Sequence, residues 1–342
     1  MASDDLNKFY KGKKVLITGG LGFIGLNIIK QLMYLDAEMT VLDDCIYPQI
    51  KKLIDPICSL IVADIRDENK IGHAVRGQDI IFNLAGKSGA ADSNKEPFID
   101  LDVNSRGTLT ILEACRRFNP HVTIIYPSSR LVYGKPRYLP VDENHPLAPD
   151  SIHAINKLTV ENYHILYSKL YGLKTTVLRI SNPYGPMQIG NARTYGIANV
   201  FIQSAVKGEN IPIFGDGQQR RDYIYIDDLV HAFLKAGIRQ EASIRIMNIG
   251  THSSVSLLDF VQMAIEVAGS GNILKVPWST DNKLIETGDY QSNIDLAVRE
   301  LDWCPVTKLK DGITQTIEFY RHGESCLLHY YLNSQHNTKS AE

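Results

Sequence analysis

The sequence lacks most of the features that mark specialised classes of protein. Its 342 residues carry a formal net charge of only −2, so there is no basic excess to indicate nucleic acid or an anionic membrane as a partner. Apolar runs stay shorter than the ~18 residues needed to cross a bilayer, and residues 1–5 do not resemble a signal peptide. We therefore expect a cytoplasmic protein with neither a nucleic-acid nor a membrane partner.

Cysteine is also scarce. The five cysteines are odd in number, widely separated and without a Cys-x-x-Cys pair: Cys45, Cys58, Cys115, Cys304 and Cys326. This pattern argues against a disulfide framework and against a zinc site. We expect reduced thiols and no bound metal.

The chain does contain a glycine-rich turn, placed between a short apolar strand and a helix. Gly19, Gly22 and Gly25 follow the apolar residues 15–17. Gly19 permits the tight turn, Gly22 lets the backbone approach a pyrophosphate, and Gly25 lets the helix pack against the strand. The amino end of that helix offers free N–H groups to a phosphate. The turn therefore predicts a dinucleotide site.

A carboxylate near this turn indicates which dinucleotide binds. Asp43 ends a second apolar strand and follows Gly19 by 24 residues. This is close to the spacing of about 20 residues at which dinucleotide-binding folds carry their ribose-binding acid. It can accept hydrogen bonds from both ribose hydroxyls and would repel a 2′-phosphate. We expect the cofactor to be NAD rather than NADP.

Strand and helix patterns alternate along the first half of the chain. Apolar strands are predicted at residues 15–17, 40–42, 60–62, 80–83, 122–126 and 175–180, with helices at 24–35, 103–118 and 154–170. Such a βαβ series predicts an α/β fold with a doubly wound parallel sheet, the Rossmann arrangement. We expect an NAD-binding domain over residues 1–181, to which 222–249 return. A smaller C-terminal substrate lobe would comprise 182–221 and 250–330, and 331–342 would form a flexible tail.

A series of short motifs runs through the chain from Lys14 to Gly312. They lie at residues 18–25, 64–67, 83–86, 103–104 with 107–108, 128–129 with 132–134, 156–158, 178–179, 182–186, 215–217, 221–223 and 299–303. In this order and spacing they resemble the extended short-chain dehydrogenase/reductase family, the NAD-dependent nucleotide-sugar epimerases and dehydratases. The resemblance implies a nucleotide-sugar substrate, without indicating which nucleotide or sugar.

The resemblance also implies roles at the cofactor. Asp64 and Ile65 would hold the adenine, Ala85, Gly86 and Asn104 would line the pyrophosphate and nicotinamide ribose, and Lys157 would reach the ribose hydroxyls. The complete set of expected NAD contacts is Gly19, Gly22, Phe23, Ile24, Gly25, Asp43, Asp64, Ile65, Leu84, Ala85, Gly86, Asn104 and Lys157.

Further residues are implied at the substrate. Ser129 would hydrogen-bond the reacting sugar hydroxyl. Asn182 and Arg221 would hold the diphosphate, an interaction that suits a guanidinium, and Asp289 would take the nucleotide ribose. The alternative for Arg221 is a surface salt bridge with Asp222.

Three departures from the family pattern bear on the chemistry. The active-site tyrosine, four residues before Lys157, is replaced by His153. Ser129 is followed by Arg130-Leu131 in place of the Asp-Glu pair of the dehydratases. Neither residue can transfer protons near neutral pH, which argues against 4,6-dehydration. We expect Arg130 to contact the sugar, through a carboxylate or a hydroxyl, or else to support its loop by a salt bridge.

The third departure is Glu286, which stands where an arginine often precedes the Gly-Asp near the end of the family pattern. Arg221 would then have less help on the diphosphate.

His153 allows three interpretations. It can be the base itself, since an imidazole titrates near neutrality and a neighbouring lysine keeps it unprotonated. Alternatively a loop tyrosine, Tyr133, Tyr184 or Tyr195, supplies the proton acceptor, or the site binds without turnover. With Ser129 and Lys157, His153 is our predicted catalytic set.

These expectations combine into a function. The chain is predicted to be an NAD-dependent nucleotide-sugar epimerase acting through a transient keto sugar, oxidised at C4. The alternatives are a net dehydrogenase and a non-catalytic NAD-binding sensor or scaffold. Apolar side chains on more than one face of the helices at 103–118 and 154–170 further predict a homodimer: Leu109, Leu112, Tyr163, Leu166, Tyr167 and Leu170.

Overall fold

A computed structural model of the chain describes residues 2–46, 48–188, 196–239, 244–278, 283 and 286–322. Tyr195, Cys326 and the predicted tail lie outside these residues. Within the described ranges, no helix is both long and apolar enough to cross a membrane.

The described strands and helices alternate along the chain. The strands are β1 (Lys14–Thr18), β2 (Glu38–Asp43), β3 (Ser59–Val62), β4 (Ile80–Asn83), β5 (Thr123–Ser129), β6 (Lys174–Ile180), β7 (Asn182–Tyr184), β8 (Asn210–Phe214), β9 (Arg220–Arg221), β10 (Tyr223–Tyr225), β11 (Arg245–Ile249), β12 (Val255–Ser256) and β13 (Asn272–Val276). The helices are α1 (Ala2–Tyr10), α2 (Phe23–Tyr34), α3 (Pro48–Ile54), α4 (Glu68–Ala74), α5 (Ala90–Lys95), α6 (Pro97–Asp100), α7 (Gly107–Phe118), α8 (Ile152–Tyr171), α9 (Ile197–Val206), α10 (Ile226–Ile238), α11 (Leu257–Ala268), α12 (Asp295–Leu301) and α13 (Leu309–His322).

Seven parallel strands form the central sheet, in the order β11-β6-β5-β4-β1-β2-β3. Their apolar side chains, such as Leu16 and Ile17 of β1, are buried on both faces beneath the flanking helices. The predicted doubly wound parallel sheet is confirmed. The strand order reverses between β1 and β4, which opens a crevice at the carboxyl ends of the strands.

The helix predicted from residue 103 differs from the observed one at its start. α6, a π-helical turn over Leu101–Arg106 and α7 follow one another without a break. The wider π turn carries Asn104 and Ser105, both buried. The spacing of apolar residues indicates only the 3.6-residue period of an α-helix, so the sequence could not reveal this turn. π-helical turns often lie near functional sites.

The C-terminal elements pack against the central sheet through a continuous apolar core. β8 and β13 pair in parallel and lie against α9 and α11, and α13 packs beside them. β11 is the outermost strand of the central sheet, next to β6. One cluster of buried side chains includes Leu6 of α1, Ile17 of β1 and Phe319 of α13, and so connects the C-terminal elements with the sheet. The division into two lobes stays a prediction.

The outward apolar face of the predicted dimer helices is narrower than expected. Leu112 is fully buried in the chain's own core, and Tyr167 is 8% exposed, with its hydroxyl donating to Glu113. Leu166 and Leu170 on α8 are 47% and 57% exposed. Leu112 and Tyr167 thus belong to the buried stripe of their helices, whereas Leu166 and Leu170 lie on an exposed face, so the apolar side chains of α8 occupy more than one face.

Candidate active site

The carboxyl ends of β1 to β6 border a cavity of about 430 Å³. Fourteen of the predicted residues line it: Gly19, Gly22, Phe23, Ile24, Gly25, Asp43, Asp64, Ile65, Leu84, Ala85, Gly86, Ser129, His153 and Lys157. The structure therefore brings the predicted cofactor and catalytic residues, apart from Asn104, to one cavity.

The glycine turn closes one end of the cavity, and its packing leaves no room for side chains. Gly19 has a left-handed backbone, with φ +64°, and a Cβ there would lie 2.6 Å from Cα of Ala85. A Cβ on Gly25 would lie 2.5 Å from Cα of Gly20. Gly22 caps α2 without a side-chain hydrogen bond, so the first N–H groups of the helix stay available to an anion.

Asp43 lies at the end of β2, held by the turns on either side. Its Oδ2 accepts a hydrogen bond from the Leu21 N–H at 2.9 Å, and its Oδ1 accepts from the Cys45 N–H at 3.1 Å. Burial raises the pKa of Asp43, and these N–H donors oppose the change. The carboxylate is thus fixed at the cavity wall, as a ribose-binding acid must be.

Asp64 and Ile65 occupy the wall beyond β3. Arg66 holds the Asp64 carboxylate through Nε at 2.9 Å and Nη2 at 2.5 Å. This bidentate contact lowers the pKa of Asp64 and keeps it ionised. Ile65 packs on α7, where a Cβ at Gly107 would lie 2.3 Å from Ile65 Cδ1.

Asn104 does not line the cavity, contrary to the prediction. Its Oδ1 accepts from the Lys87 N–H at 3.0 Å and its Nδ2 donates to the Lys87 carbonyl at 3.1 Å. Both ends of the amide are thereby used to hold the turn that carries Gly86. The π-helical turn directs the Asn104 side chain toward the loop that carries Gly86 and Lys87. Asn104 therefore supports the cavity wall without lining the cavity.

His153, near the start of α8, lies beside a buried carboxylate. Its Nδ1 is 3.5 Å from Oδ2 of Asp100, close enough for strong attraction but long for a hydrogen bond. Asn156 donates to the other oxygen of Asp100 at 2.7 Å. Burial disfavours the charged form of Asp100, but the neighbouring His153 and Asn156 outweigh this effect and lower the pKa of Asp100. The carboxylate is therefore ionised.

The pKa of His153 is lowered, chiefly by burial and further by the Lys157 ammonium group. The Asp100 carboxylate acts in the opposite direction and raises this pKa, but by less. The ring is therefore neutral near pH 7. With a carboxylate beside Nδ1, the proton of the neutral ring is favoured on that nitrogen, which leaves Nε2 as an acceptor.

Lys157 lies one helical turn after His153 on α8. Its Nζ donates to the Pro127 carbonyl at 2.8 Å and stands 4.6 Å from the centre of the Tyr126 ring. Burial lowers the pKa of Lys157 to about 8, against the pull of Asp100 and Glu161. The ammonium group thus lies at the cavity edge, where the Pro127 carbonyl and the Tyr126 ring hold it in position.

Ser129 ends β5, and its Oγ accepts from the Leu131 N–H at 3.2 Å. Its hydroxyl hydrogen remains available to the cavity. A buried network supports this strand end from below: Glu161 accepts from Ser128 and pairs with Arg179 at 2.6 Å.

The two alternative tyrosines that the structure describes lie away from the cavity. Tyr133 donates to Asn248 at 2.6 Å and accepts from Arg179 at 2.9 Å, inside the core. The Tyr184 hydroxyl contacts the Leu309 carbonyl at 3.3 Å, also away from the cavity lining. Of the three tyrosines, only Tyr195 falls outside the described residues.

A second cluster, next to the cavity, contains the predicted substrate residues. Arg130 donates through Nε to Asn182 Oδ1 at 2.9 Å and through Nη1 to Thr287 Oγ1 at 3.1 Å. Its guanidinium carbon lies 5.1 Å from the centre of the Tyr290 ring. The structure places Arg130 and Asn182 together, and the expected loop salt bridge of Arg130 is absent among the described residues.

Arg221 lies in the same cluster and pairs with Glu286 rather than with Asp222, so the alternative salt bridge is wrong. It also donates to the Gly288 carbonyl at 2.7 Å. Asp222 is instead fully buried and accepts from Ser292 and Thr251. Asp289 is exposed nearby, where its Oδ1 accepts from the Arg220 N–H at 2.8 Å.

Asp100 was missed from the sequence. The signal that could have found it is its position four residues before Asn104, which places both on one helix face if the helix begins earlier than predicted. Thr287, which fixes Arg130, and Glu161, beneath Ser128, carried no pattern that distinguishes them from surface residues.

Comparison with known proteins agrees with this geometry. Residues 15–250 match the family described as "NAD dependent epimerase/dehydratase family". A protein of Methanocaldococcus jannaschii named "Putative UDP-glucose 4-epimerase" is 33% identical over 315 residues, covering 90% of this chain and 98% of that protein.

Two solved structures share the fold over nearly their whole length. UDP-glucose 4-epimerase of Thermus thermophilus, in complex with NAD, has a TM-score of 0.82 and 27% identity, covering 91% of this chain and 99% of its own. dTDP-glucose 4,6-dehydratase of Bacillus anthracis, also with NAD, has a TM-score of 0.79 and 25% identity, covering 92% and 98%.

Proposed function

The chain belongs to the NAD dependent epimerase/dehydratase family, and on that premise we propose that it epimerises a nucleotide-linked sugar at C4 through a transient keto sugar. The observation that supports this most is the meeting of Ser129, His153 and Lys157 at one cavity. The names of its relatives favour UDP-glucose as the first substrate to test.

NAD is the cofactor of this family, and the cavity has the shape and donors to hold it. The glycine turn and the uncapped start of α2 suit the pyrophosphate, Asp43 suits the adenosine ribose, and Lys157 suits the nicotinamide ribose. When bound there, NAD would supply the hydride acceptor for oxidation of the sugar carbon and, once reduced, the hydride donor for the return step.

In the proposed reaction His153 is the general base. Its neutral ring accepts the proton of the C4 hydroxyl as the carbon is oxidised, and Ser129 orients that hydroxyl by hydrogen bonding. Asp100 stabilises the imidazolium that forms, as a nearby carboxylate does for a charged histidine. The same imidazolium returns the proton when the opposite face of the keto sugar is reduced, so no proton or electron is gained or lost.

Dehydration stays disfavoured in this proposal, although a dehydratase is among the structural relatives. Elimination needs a second acid and base beside the sugar. Arg130, which is engaged by Asn182 and Thr287, cannot transfer protons near neutral pH, and Leu131 has no titratable group.

Incubation of the protein with NAD and UDP-glucose, followed by chromatography and mass spectrometry, tests the proposal. We expect the 4-epimer to form without stoichiometric reduction of NAD. Stoichiometric reduction would indicate a dehydrogenase instead. Tight NAD binding with no conversion of any nucleotide sugar in a panel would indicate a binding protein.

A further inference from the structure

Arg130 carries a buried charge that no carboxylate neutralises at ion-pair distance within the described parts of the chain. The residue is 7% exposed, and its hydrogen bonds go to two neutral acceptors, Asn182 and Thr287. Burial of an ionised group without a counter-charge is strongly unfavourable. Tyr290 offers its ring face, which offsets part of this cost.

The surroundings increase the positive potential at Arg130. Its neighbour Arg221 is a second buried cation, and the nearby Glu286 is ion-paired with Arg221. Burial and the nearby Arg221 lower the pKa of Arg130 to about 10, so the side chain is still charged near pH 7. Of the two neighbouring guanidinium groups, Arg221 therefore has a carboxylate at ion-pair distance, and Arg130 has none among the described residues.

The position of Arg130 relates it to the reacting end of the substrate. It follows Ser129 directly, and its partner Asn182 lies between Ser181 and Pro183, which line the cofactor cavity with Ser129. Arg221 instead donates to the carbonyl of Gly288, the residue before Asp289, which is the predicted ligand of the nucleotide ribose. Arg130 is thus the cation nearer to the catalytic residues.

We propose that Arg130 binds an anionic oxygen group at the sugar end of the substrate, either the phosphate attached to the sugar or a carboxylate on the sugar itself. This inference rests on the proposed function and extends it to the charge that the substrate must carry. Nη2 takes part in none of the described hydrogen bonds, so the guanidinium has donors left for such a group.

The test is calorimetric titration of the NAD-loaded protein with UDP, UDP-glucose and UDP-glucuronic acid. The variant Arg130→Gln removes the charge and keeps a hydrogen-bonding side chain. Arg137→Gln removes an exposed charge nearby and serves as the matched control. NAD affinity, measured for each variant, shows whether it is folded.

We expect Arg130→Gln to weaken binding by about 10- to 100-fold, the range for losing a charge-assisted hydrogen bond. Equal weakening of all three ligands assigns Arg130 to the phosphate. Weakening confined to UDP-glucuronic acid assigns it to a sugar carboxylate. Arg130→Lys, which keeps the charge without the planar fork, should recover part of the loss.

Unchanged binding of all three ligands by Arg130→Gln, relative to Arg137→Gln, would overturn the inference while leaving the proposed function intact. If the unaltered NAD-loaded protein binds none of the three, the proposed function fails and the inference fails with it. If Arg130→Gln loses NAD binding, Arg130→Met, which keeps an unbranched side chain without the charge, takes its place in the comparison. Unchanged binding of all three ligands by that variant would also overturn the inference.

Discussion

His153 is the residue on which the proposed chemistry depends, and its surroundings set the pH range in which it works. Only the neutral ring accepts a proton, so activity is lost as the pH falls through its pKa. Burial lowers that pKa, which places the acid limb of kcat/KM below the ordinary histidine value of ~6.5. On the alkaline side Lys157, with a pKa of about 8, loses its charge and activity falls again.

Replacement of His153 should remove the acid limb. We expect His153→Ala to lower kcat/KM by ~10²–10⁴, the usual loss for a general base, with NAD affinity nearly unchanged. The exposed His121→Ala is the matched control. Asp100→Asn should lower the rate less and shift the limb to lower pH, because the imidazolium loses its stabilising charge. Full activity in His153→Ala would show that the base is another group.

Asp43 should make the protein discriminate between the two dinucleotides. A 2′-phosphate placed near this fixed carboxylate is repelled, so we expect NAD to bind more tightly than NADP. Asp43→Ala should weaken NAD binding by about 10- to 100-fold, as its hydrogen bonds to the ribose are lost. Calorimetry with both cofactors measures this, with the exposed Asp55→Ala as control. Equal or tighter NADP binding by the unaltered protein would contradict the assignment.

At the scale of single residues, the sequence predicts a role where that role follows from the spacing of residues within one strand-turn-helix unit. The glycine turn and Asp43 were placed correctly at the cavity because a strand-turn-helix unit fixes their geometry within a few residues. The orientation of Asn104 was not predictable, since it depends on a π-helical turn that leaves no periodic signature. The direction of the Arg130 side chain depends on Thr287, which is distant in sequence.

At the scale of single elements, the close contact between α2 and the glycine turn is one of backbone against backbone. A methyl group on Gly25 would meet the Gly20 backbone, which has no side chain to move aside. We expect Gly25→Ala to lower the free energy of unfolding by about 1–3 kcal/mol, the usual cost of overpacking, and to weaken NAD binding. Urea denaturation measures the first effect. Gln31→Ala on the same helix should change neither by a comparable amount, and equal stability of both variants would refute the steric argument.

α8 shows how capping residues set the ends of a helix. α8 was predicted over residues 154–170 and spans Ile152–Tyr171, because Ser151 accepts from the Ala154 N–H at its start and Gly172 adopts a left-handed conformation at its end. The short β7, β9, β10 and β12 were not predicted. Two- and three-residue strands carry too few side chains for a period to be visible.

At the scale of the whole molecule, association remains a prediction. Leu166 and Leu170 expose apolar surface one turn apart on α8, which favours a homodimer that covers them. We expect a dimer in sedimentation equilibrium at micromolar concentration, and a monomer for Leu166→Glu combined with Leu170→Glu. Lys169→Glu is the control, because it changes the charge at a position between Leu166 and Leu170 in the sequence without removing apolar surface. A monomeric unaltered protein would contradict the prediction.

The return of β11 to the central sheet affects how the chain folds as it leaves the ribosome. β6 is synthesised first, and roughly 70 residues separate its end from the end of β11, several seconds of synthesis at ~5–20 residues per second. During that interval the nascent chain presents β6 as an open sheet edge, with Val177 and Leu178 not yet covered by their final neighbours. Such an edge can pair with another chain. The last strand of the sheet therefore sets a period of vulnerability to aggregation in which chaperones have a surface to bind.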